Sequence, residues 1–129
     1  MLKILIVDDE PLVRKLIRYC IPWEEYGLTV AAEASGADEG MEMVREVNPD
    51  VVFTDIMMPT TNGLEFTKMI GEYNPEIRVI LVSGYDEFEY ASTGIKLKVF
   101  DYILKPIDRE ILKKIAENVR EDILKERLR

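Results

Sequence analysis

The stretch Val51-Val-Phe-Thr-Asp-Ile-Met-Met-Pro59 is the part of the sequence that says most about the fold. Residues 51–54 are β-branched or aromatic, which is typical of a parallel strand buried on both faces. Asp55 follows at once, and Pro59 ends any regular continuation. Open α/β sheets bind ligands at the carboxyl ends of their strands. Because a buried carboxylate there is costly unless it is paired, metal-bound or reactive, we expect Asp55 to be the centre of a site.

The rest of the chain alternates between strand-like and helix-like segments. Apolar, β-forming runs predict strands at residues 2–7, 28–34, 51–54, 78–82 and 100–104. Apolar residues at helical spacing predict helices that begin near Pro11, Ala37, Leu64, Asp86 and Asp108. This alternation with short connections predicts one α/β domain over residues 1–129, a doubly wound parallel sheet of five strands with helices on both faces.

Two of the predicted helices have unusual features. The fourth contains Ser92-Thr93-Gly94, all weak helix formers, so we expect it to be the least stable helix. The last is predicted from an apolar stripe that comprises Ile111, Leu112, Ile115, Val119 and Ile123. Its charged end, residues 120–129, is either a frayed terminus or the start of a linker helix to an output domain absent from this chain.

Composition narrows the classes of function. The chain has 129 residues and a net charge of −8, so we expect no direct binding to DNA, which requires a basic surface. It has no histidine, which excludes Ser-His-Asp and Cys-His catalysis and any histidine-ligated metal. The single cysteine, Cys20, excludes an intramolecular disulfide, and we interpret it as a packing residue. No signal-like or membrane-spanning run is present, so we expect a cytoplasmic protein without membrane contacts.

Five polar residues follow the predicted strands and should meet at one edge of the sheet: Asp8, Asp9, Asp55, Ser83 and Lys105. Three neighbouring carboxylates repel each other unless cations are close. Carboxylates that bind a divalent ion together with water and an incoming phosphate describe a Mg²⁺ site. Asp55 could then attack phosphorus, with Mg²⁺ and Lys105 stabilising the charge on the transferred group. The sequence therefore predicts a phosphoryl acceptor.

Each of these residues also has a plain structural interpretation. The Asp8-Asp9 pair could simply interact favourably with the dipole of the following helix. Ser83 could be an ordinary loop hydroxyl, and Lys105 a solvated lysine. The order of these residues on consecutive strand ends favours the functional interpretation.

The chain resembles the receiver domains of two-component response regulators over essentially its whole length. The resemblance rests on Ile6-Val-Asp-Asp-Glu-Pro11, Asp55-Ile-Met-Met-Pro59 with Gly63, Leu81-Val-Ser-Gly84 and Asp101-Tyr-Ile-Leu-Lys-Pro106. It implies a flavodoxin-like (βα)5 fold with strand order 2-1-3-4-5. It also implies a sensor histidine kinase as phosphoryl donor, and a domain that is no enzyme beyond self-catalysed phosphoryl transfer and slow autodephosphorylation.

The resemblance assigns a role to each matching residue. Asp55 would be the phosphoacceptor, and Asp8, Asp9, Asp55 and the Met57 carbonyl would bind Mg²⁺. Lys105 would contact the phosphate, and its bond to Pro106 is usually cis in this family. The switch residues would be Ser83 and Tyr102. Phosphorylation would reshape the face formed by the fourth helix, fifth strand and fifth helix (α4-β5-α5), which is also a possible homodimer surface.

Two finer matches point to a transcriptional role. Trp23-Glu-Glu-Tyr-Gly27 and residues 83–91 resemble receivers fused to arabinose-regulator (AraC) type DNA-binding domains. The parent protein would then be a transcription factor that contacts DNA through an output domain not present here. One departure is that residues 97–101, Leu-Lys-Val-Phe-Asp, replace a turn that commonly contains glycine.

Three rival functions share this fold class. A Mg²⁺-dependent phosphatase with an aspartate nucleophile usually has a second aspartate two positions later, where this chain has Met57. An FMN-binding protein would need a phosphate-binding loop after the first strand, where Asp8-Asp9-Glu10 would repel phosphate. A phosphorylation-independent interaction module is the third alternative, and the complete set of acids argues against it.

Overall fold

The computed structural model describes residues 1–84 and 98–128. Its five strands are β1 (Leu2–Val7), β2 (Leu28–Ala34), β3 (Val51–Asp55), β4 (Arg78–Ser83) and β5 (Asp101–Leu104). All pairings are parallel, and the order across the sheet is β2-β1-β3-β4-β5. The predicted doubly wound parallel sheet and its 2-1-3-4-5 order are therefore confirmed.

Helices connect the strands as the alternation predicts. They are α1 (Pro11–Cys20), a short 3-10 helix (Trp23–Tyr26), α2 (Ala37–Val47), α3 (Gly63–Tyr73) and a C-terminal helix (Arg109–Arg127). The predicted fourth helix, expected to begin near Asp86 and to contain Ser92-Thr93-Gly94, lies outside the described residues.

Helix starts follow from local chemistry. Pro11 occupies the first turn of α1, where its missing N–H costs nothing. Asn62 caps α3 by accepting hydrogen bonds from the backbone N–H groups of Leu64 and Glu65. Asp108 caps the C-terminal helix in the same way, at the predicted start of that helix. Each cap satisfies donors that have no partner within the helix.

Two apolar layers cover the sheet. One face packs against α1 and the C-terminal helix through residues such as Ile17, Trp23 and Val119. The other packs against α2 and α3 through residues such as Met41 and Phe66. Every residue of β3 is buried because this strand lies at the centre of the sheet. The central strand therefore delivers Asp55 to the sheet edge from a rigid position.

The predicted apolar stripes are partly wrong. Leu112, Ile115, Val119 and Ile123 of the C-terminal helix are buried, but Ile111 is half-exposed. In α1 the apolar residues at helical spacing include Leu12, Leu16 and Ile17, of which Ile17 is buried and the two leucines are exposed. The reason is that each helix covers the sheet with a narrow stripe, and these residues lie beyond its margin. Among the described helices, none combines the length and apolar character needed to cross a membrane.

Candidate functional site

Three carboxylates meet at the carboxyl edge of the sheet. Asp8 and Asp9 follow β1, and Asp55 ends the neighbouring strand β3. One oxygen from each side chain lies within 4.8 Å of the other two. Asp8 and Asp55 are buried, at 1% and 4% exposure, whereas Asp9 is exposed. The three acids therefore form a half-open cluster with two buried members and one at the surface.

Lys105 supplies the cation that this cluster needs. Its Nζ lies 3.5 Å from Oδ2 of Asp55 and 3.6 Å from Oδ2 of Asp8. It follows β5, and its backbone N–H donates to the carbonyl of Ser83 across the sheet edge. The Lys105–Pro106 bond is cis, as the resemblance implies. The predicted convergence of Asp8, Asp9, Asp55 and Lys105 is observed.

Burial and charge shift the pKa values of the cluster. Burial raises the pKa of Asp55 to about 6, and the nearby Asp8 carboxylate adds to this effect while Lys105 opposes it. Burial also raises the pKa of Asp8. Burial alone would lower the pKa of Lys105, but the charges of Asp55 and Asp8 outweigh it and raise that pKa. Asp55 is therefore still ionised at neutral pH. The positive charge of Lys105 does not fully offset the effects of burial and of Asp8 on its pKa.

The acid cluster fits a hard divalent cation. Within residues 1–84 and 98–128, Oδ2 of Asp8 is the buried side-chain oxygen or nitrogen that has no hydrogen-bond partner. The other oxygen, Oδ1, accepts a hydrogen bond of 2.8 Å from the backbone N–H of Glu10. An all-oxygen set that is open to water on the Asp9 side is what Mg²⁺ prefers. The residues present can therefore hold Mg²⁺.

Ser83 and Tyr102 form a hydroxyl pair beside the cluster. Ser83 ends β4 and is fully buried, and its Oγ lies 2.6 Å from the Tyr102 hydroxyl, to which it donates a hydrogen bond. Tyr102 is half-buried in β5, and its ring packs against the apolar layer on the α2–α3 side. The Tyr102 hydroxyl therefore has a protein partner. The two predicted switch residues are therefore in direct contact.

The loop after Asp55 is tightly constrained. Met57 lies two residues beyond Asp55 with a half-exposed side chain, and the role of its carbonyl as a metal ligand stays a prediction. Thr60 has a positive φ of 72°, and the Thr61 N–H donates to the Pro59 carbonyl across it. A Cβ on Gly63 would lie 2.1 Å from the carbonyl oxygen of Asp55. This closeness explains why glycine is needed there.

Sequence reasoning missed Arg14. Its guanidinium donates to the backbone carbonyl of Asp8 at 2.5 Å and pairs with Glu33 at 3.1 Å. The available signal was that Arg14 lies in α1, directly after the acidic motif, where an arginine can reach back to the end of β1.

Comparisons with known proteins agree with the fold. The family described as response regulator receiver domain matches residues 4–117. The receiver domain of AraT, a response regulator from Geobacillus stearothermophilus, is 40% identical with a TM-score of 0.93, and 98% of each chain is covered. A two-component transcriptional regulator AraC from Clostridium phytofermentans is 29% identical with a TM-score of 0.91 over 100% of each chain. The predicted resemblance to receivers of this kind is confirmed.

Curated proteins give the same result. An uncharacterized response regulatory protein of Staphylococcus epidermidis is 38% identical over 128 residues, which are 99% of this chain and 48% of that protein. The transcriptional regulatory protein HptR of Staphylococcus aureus is 34% identical over 126 residues, 98% of this chain and 49% of HptR. The chain thus spans about half the length of these relatives. On the family match and the fold, this chain belongs to the response regulator receiver domains of two-component signalling.

Proposed function

We propose that the domain accepts a phosphoryl group on Asp55 from a sensor histidine kinase in a Mg²⁺-dependent reaction. One observation carries the proposal: Asp55 is buried at the end of the central strand, with Lys105 3.5 Å away and two further carboxylates within 4.8 Å. A carboxylate in such a position can serve as a nucleophile toward phosphorus.

Each residue of the site is proposed to have a separate role in phosphoryl transfer. An Asp55 oxygen attacks phosphorus and forms the new O–P bond as the P–N bond of the donor phosphohistidine breaks; the imidazole nitrogen leaves with the bonding pair and takes up a proton. Asp8, Asp9, Asp55 and the Met57 carbonyl would hold Mg²⁺, which supplies positive charge for the phosphoryl oxygens when bound. Lys105 supplies a second charge, and the rigid strand end orients Asp55. No turnover of a separate substrate is proposed.

The switch is proposed to begin at the Ser83–Tyr102 pair. A phosphoryl group on Asp55 offers Ser83 a strong, charged acceptor. When Ser83 donates to that acceptor, its 2.6 Å contact with Tyr102 is lost and the ring is free to move. Such a local change would reshape the face formed by the fourth helix, β5 and the C-terminal helix. That face is also the proposed homodimer surface.

The proposed output is control of transcription. This is supported by the names of relatives, among them a transcriptional regulatory protein about twice as long as this chain. DNA would be contacted only by an output domain outside this chain, since the chain itself carries a net charge of −8. We also propose a cytoplasmic location, where a histidine kinase could reach the domain.

The alternative functions are weaker. A phosphorylation-independent interaction module would have no need of a buried Asp55 beside Lys105 and a buried Asp8 oxygen that lacks a hydrogen bond. An aspartate-nucleophile phosphatase of the usual kind would have a second acid where Met57 lies, and the nucleophile would follow the first strand rather than β3.

The test is intact mass after incubation with Mg²⁺ and acetyl phosphate. We expect one added phosphoryl group on the parent, none with EDTA, and none on Asp55→Asn. Asp50→Asn is a matched control, because Asp50 precedes β3 at the opposite edge of the sheet, where it accepts from the Lys3 N–H. Phosphorylation at Asp55 would be refuted if the parent chain gains no mass, or if Asp55→Asn gains as much mass as the parent does.

A further inference from the structure

The backbone and side chain of Asp8 are held by contacts from three directions. Its N–H donates to the Ala34 carbonyl of β2 at 3.1 Å, and its Oδ1 accepts from the Glu10 N–H at 2.8 Å. Its carbonyl oxygen accepts from Nη1 of Arg14 at 2.5 Å. With these groups occupied, Oδ2 is left to face Lys105 and Asp55. The contacts therefore determine which oxygen of Asp8 points into the acid cluster.

Arg14 is itself fixed by a second ion pair. Its Nε lies 3.1 Å from Oε1 of Glu33, while Arg18, one turn further along α1, approaches the other oxygen, Oε2, at 2.6 Å. The Arg14 side chain is 17% exposed and that of Glu33 26%. Glu33 of β2 thus holds the guanidinium in an orientation from which it can also reach the Asp8 carbonyl. Planar, forked arginine is suited to such a double contact, whereas lysine offers one compact donor group.

We propose that Arg14, oriented by Glu33, is a positioning residue that presents Oδ2 of Asp8 to the bound cation, an inference that rests on the proposed Mg²⁺ site. Arg14 contacts none of the proposed ligand oxygens directly; it acts through the backbone of Asp8. Partners that orient a metal ligand commonly change affinity by about 10- to 100-fold when removed.

Simple electrostatics predicts the opposite result, which makes the inference testable. Arg14 places a positive charge beside an acid cluster, so removing that charge alone should strengthen the binding of a cation. Positioning predicts weaker binding instead. Arg18 provides the matched control, because it pairs with the same Glu33 and lies on the same helix, and the structure shows it in contact with Glu33 rather than with Asp8.

The experiment is calorimetric titration of Mg²⁺ into the unphosphorylated parent chain and its variants, each first shown to be folded by circular dichroism. We expect Arg14→Met to weaken binding about tenfold, and Arg18→Met to leave it unchanged or slightly tighter. Arg14→Lys, which keeps the charge and one donor, should fall between Arg14→Met and the parent. Glu33→Gln should also weaken binding, but it removes a negative charge as well, so Arg14→Lys, which keeps the charge, carries the test if Arg14→Met does not fold.

Two negative results have different meanings. If the parent binds Mg²⁺ but Arg14→Met and Arg14→Lys bind it as tightly or more tightly, Arg14 does not position Asp8 and the proposed metal site is unaffected. If the parent does not bind Mg²⁺ at millimolar concentration, the proposed Mg²⁺ role fails and the present inference fails with it.

Discussion

Replacing Gly63 with alanine should disrupt the junction between β3 and α3. The added Cβ would lie 2.1 Å from the carbonyl oxygen of Asp55 and 2.8 Å from Cα of Ile56, whereas ordinary contacts begin at 3.4 Å. Both are backbone atoms, so no side-chain rotation relieves the clash. The backbone of β3 and α3 must separate by more than about 1 Å, which would also strain the hydrogen bond from the Gly63 N–H to the Ile56 carbonyl.

The expected cost is large for one methyl group. Overpacking a well-packed region typically costs 1–3 kcal/mol, and a clash with backbone atoms lies at the upper end, so we expect the free energy of unfolding to fall by about 3 kcal/mol. Gly71→Ala in the same helix is the matched control. Apart from its own helix backbone, no described heavy atom lies within 4 Å of a Cβ there, so alanine should stabilise the protein by about 0.5 kcal/mol.

Urea denaturation of the parent and both variants measures this difference. Because the Asp55 carbonyl would have to move, folded Gly63→Ala should also accept less phosphoryl group from acetyl phosphate than Gly71→Ala does. If the free energy of unfolding of Gly63→Ala lies within about 1 kcal/mol of that of the parent, a difference on the order of ordinary surface substitutions, the close approach of Gly63 to Asp55 does not constrain the fold.

Three other predictions concern pH, backbone strain and the C-terminal helix. The folded pKa of Asp55 is about 6, above its ordinary value of 3.8, so its contribution to stability is fully present below pH 3.8 and is lost as pH rises through 6. In EDTA, the free energy of unfolding of Asp55→Asn should therefore equal that of the parent near pH 4 and exceed it by at most about 3 kcal/mol at pH 7.5. Urea denaturation measures both, and a difference that does not change with pH would contradict this prediction. Thr60 is exposed with a φ of 72°. Thr60→Gly should raise the melting temperature, because relief of about 1–2 kcal/mol of backbone strain exceeds the entropic cost of glycine. A lower melting temperature would contradict the presence of this strain. Arg78 pairs with Asp122 and Glu126, so Arg78→Gln should speed amide exchange in residues 120–127, whereas equal exchange would show that these two ion pairs are not needed to hold this end of the helix.

Much of the site could be predicted because chain order and sheet topology are linked. Once β1, β3, β4 and β5 are recognised as parallel strands, the residues that follow them must share one edge. Asp8, Asp55, Ser83 and Lys105 are found there. The α/β fold class could be predicted without knowledge of tertiary contacts, because alternating strand and helix patterns with short connections leave few topologies.

Other features depend on contacts between residues distant in sequence. The exposure of Ile111 was not predictable from spacing, because helical periodicity gives a face but not how much of it the sheet covers. The contact of Arg14 with both Asp8 and Glu33 depends on how α1 packs over β1 and β2. Lys98 adopts a φ of 61°. It lies in residues 97–101, where the sequence showed only that this chain lacks the glycine common in similar receivers and did not predict the backbone conformation.

Periodicity and chain connectivity were enough to predict a parallel α/β sheet, the residues at its edge and the type of chemistry available to them. The strand order came from the resemblance to receiver domains. The three-dimensional structure was needed to show which carboxyl groups are buried, which Asp8 oxygen lacks a hydrogen bond, and how closely Gly63 approaches Asp55. Burial, hydrogen-bond geometry and close packing are properties of atoms brought together from separate segments, and no local pattern records them.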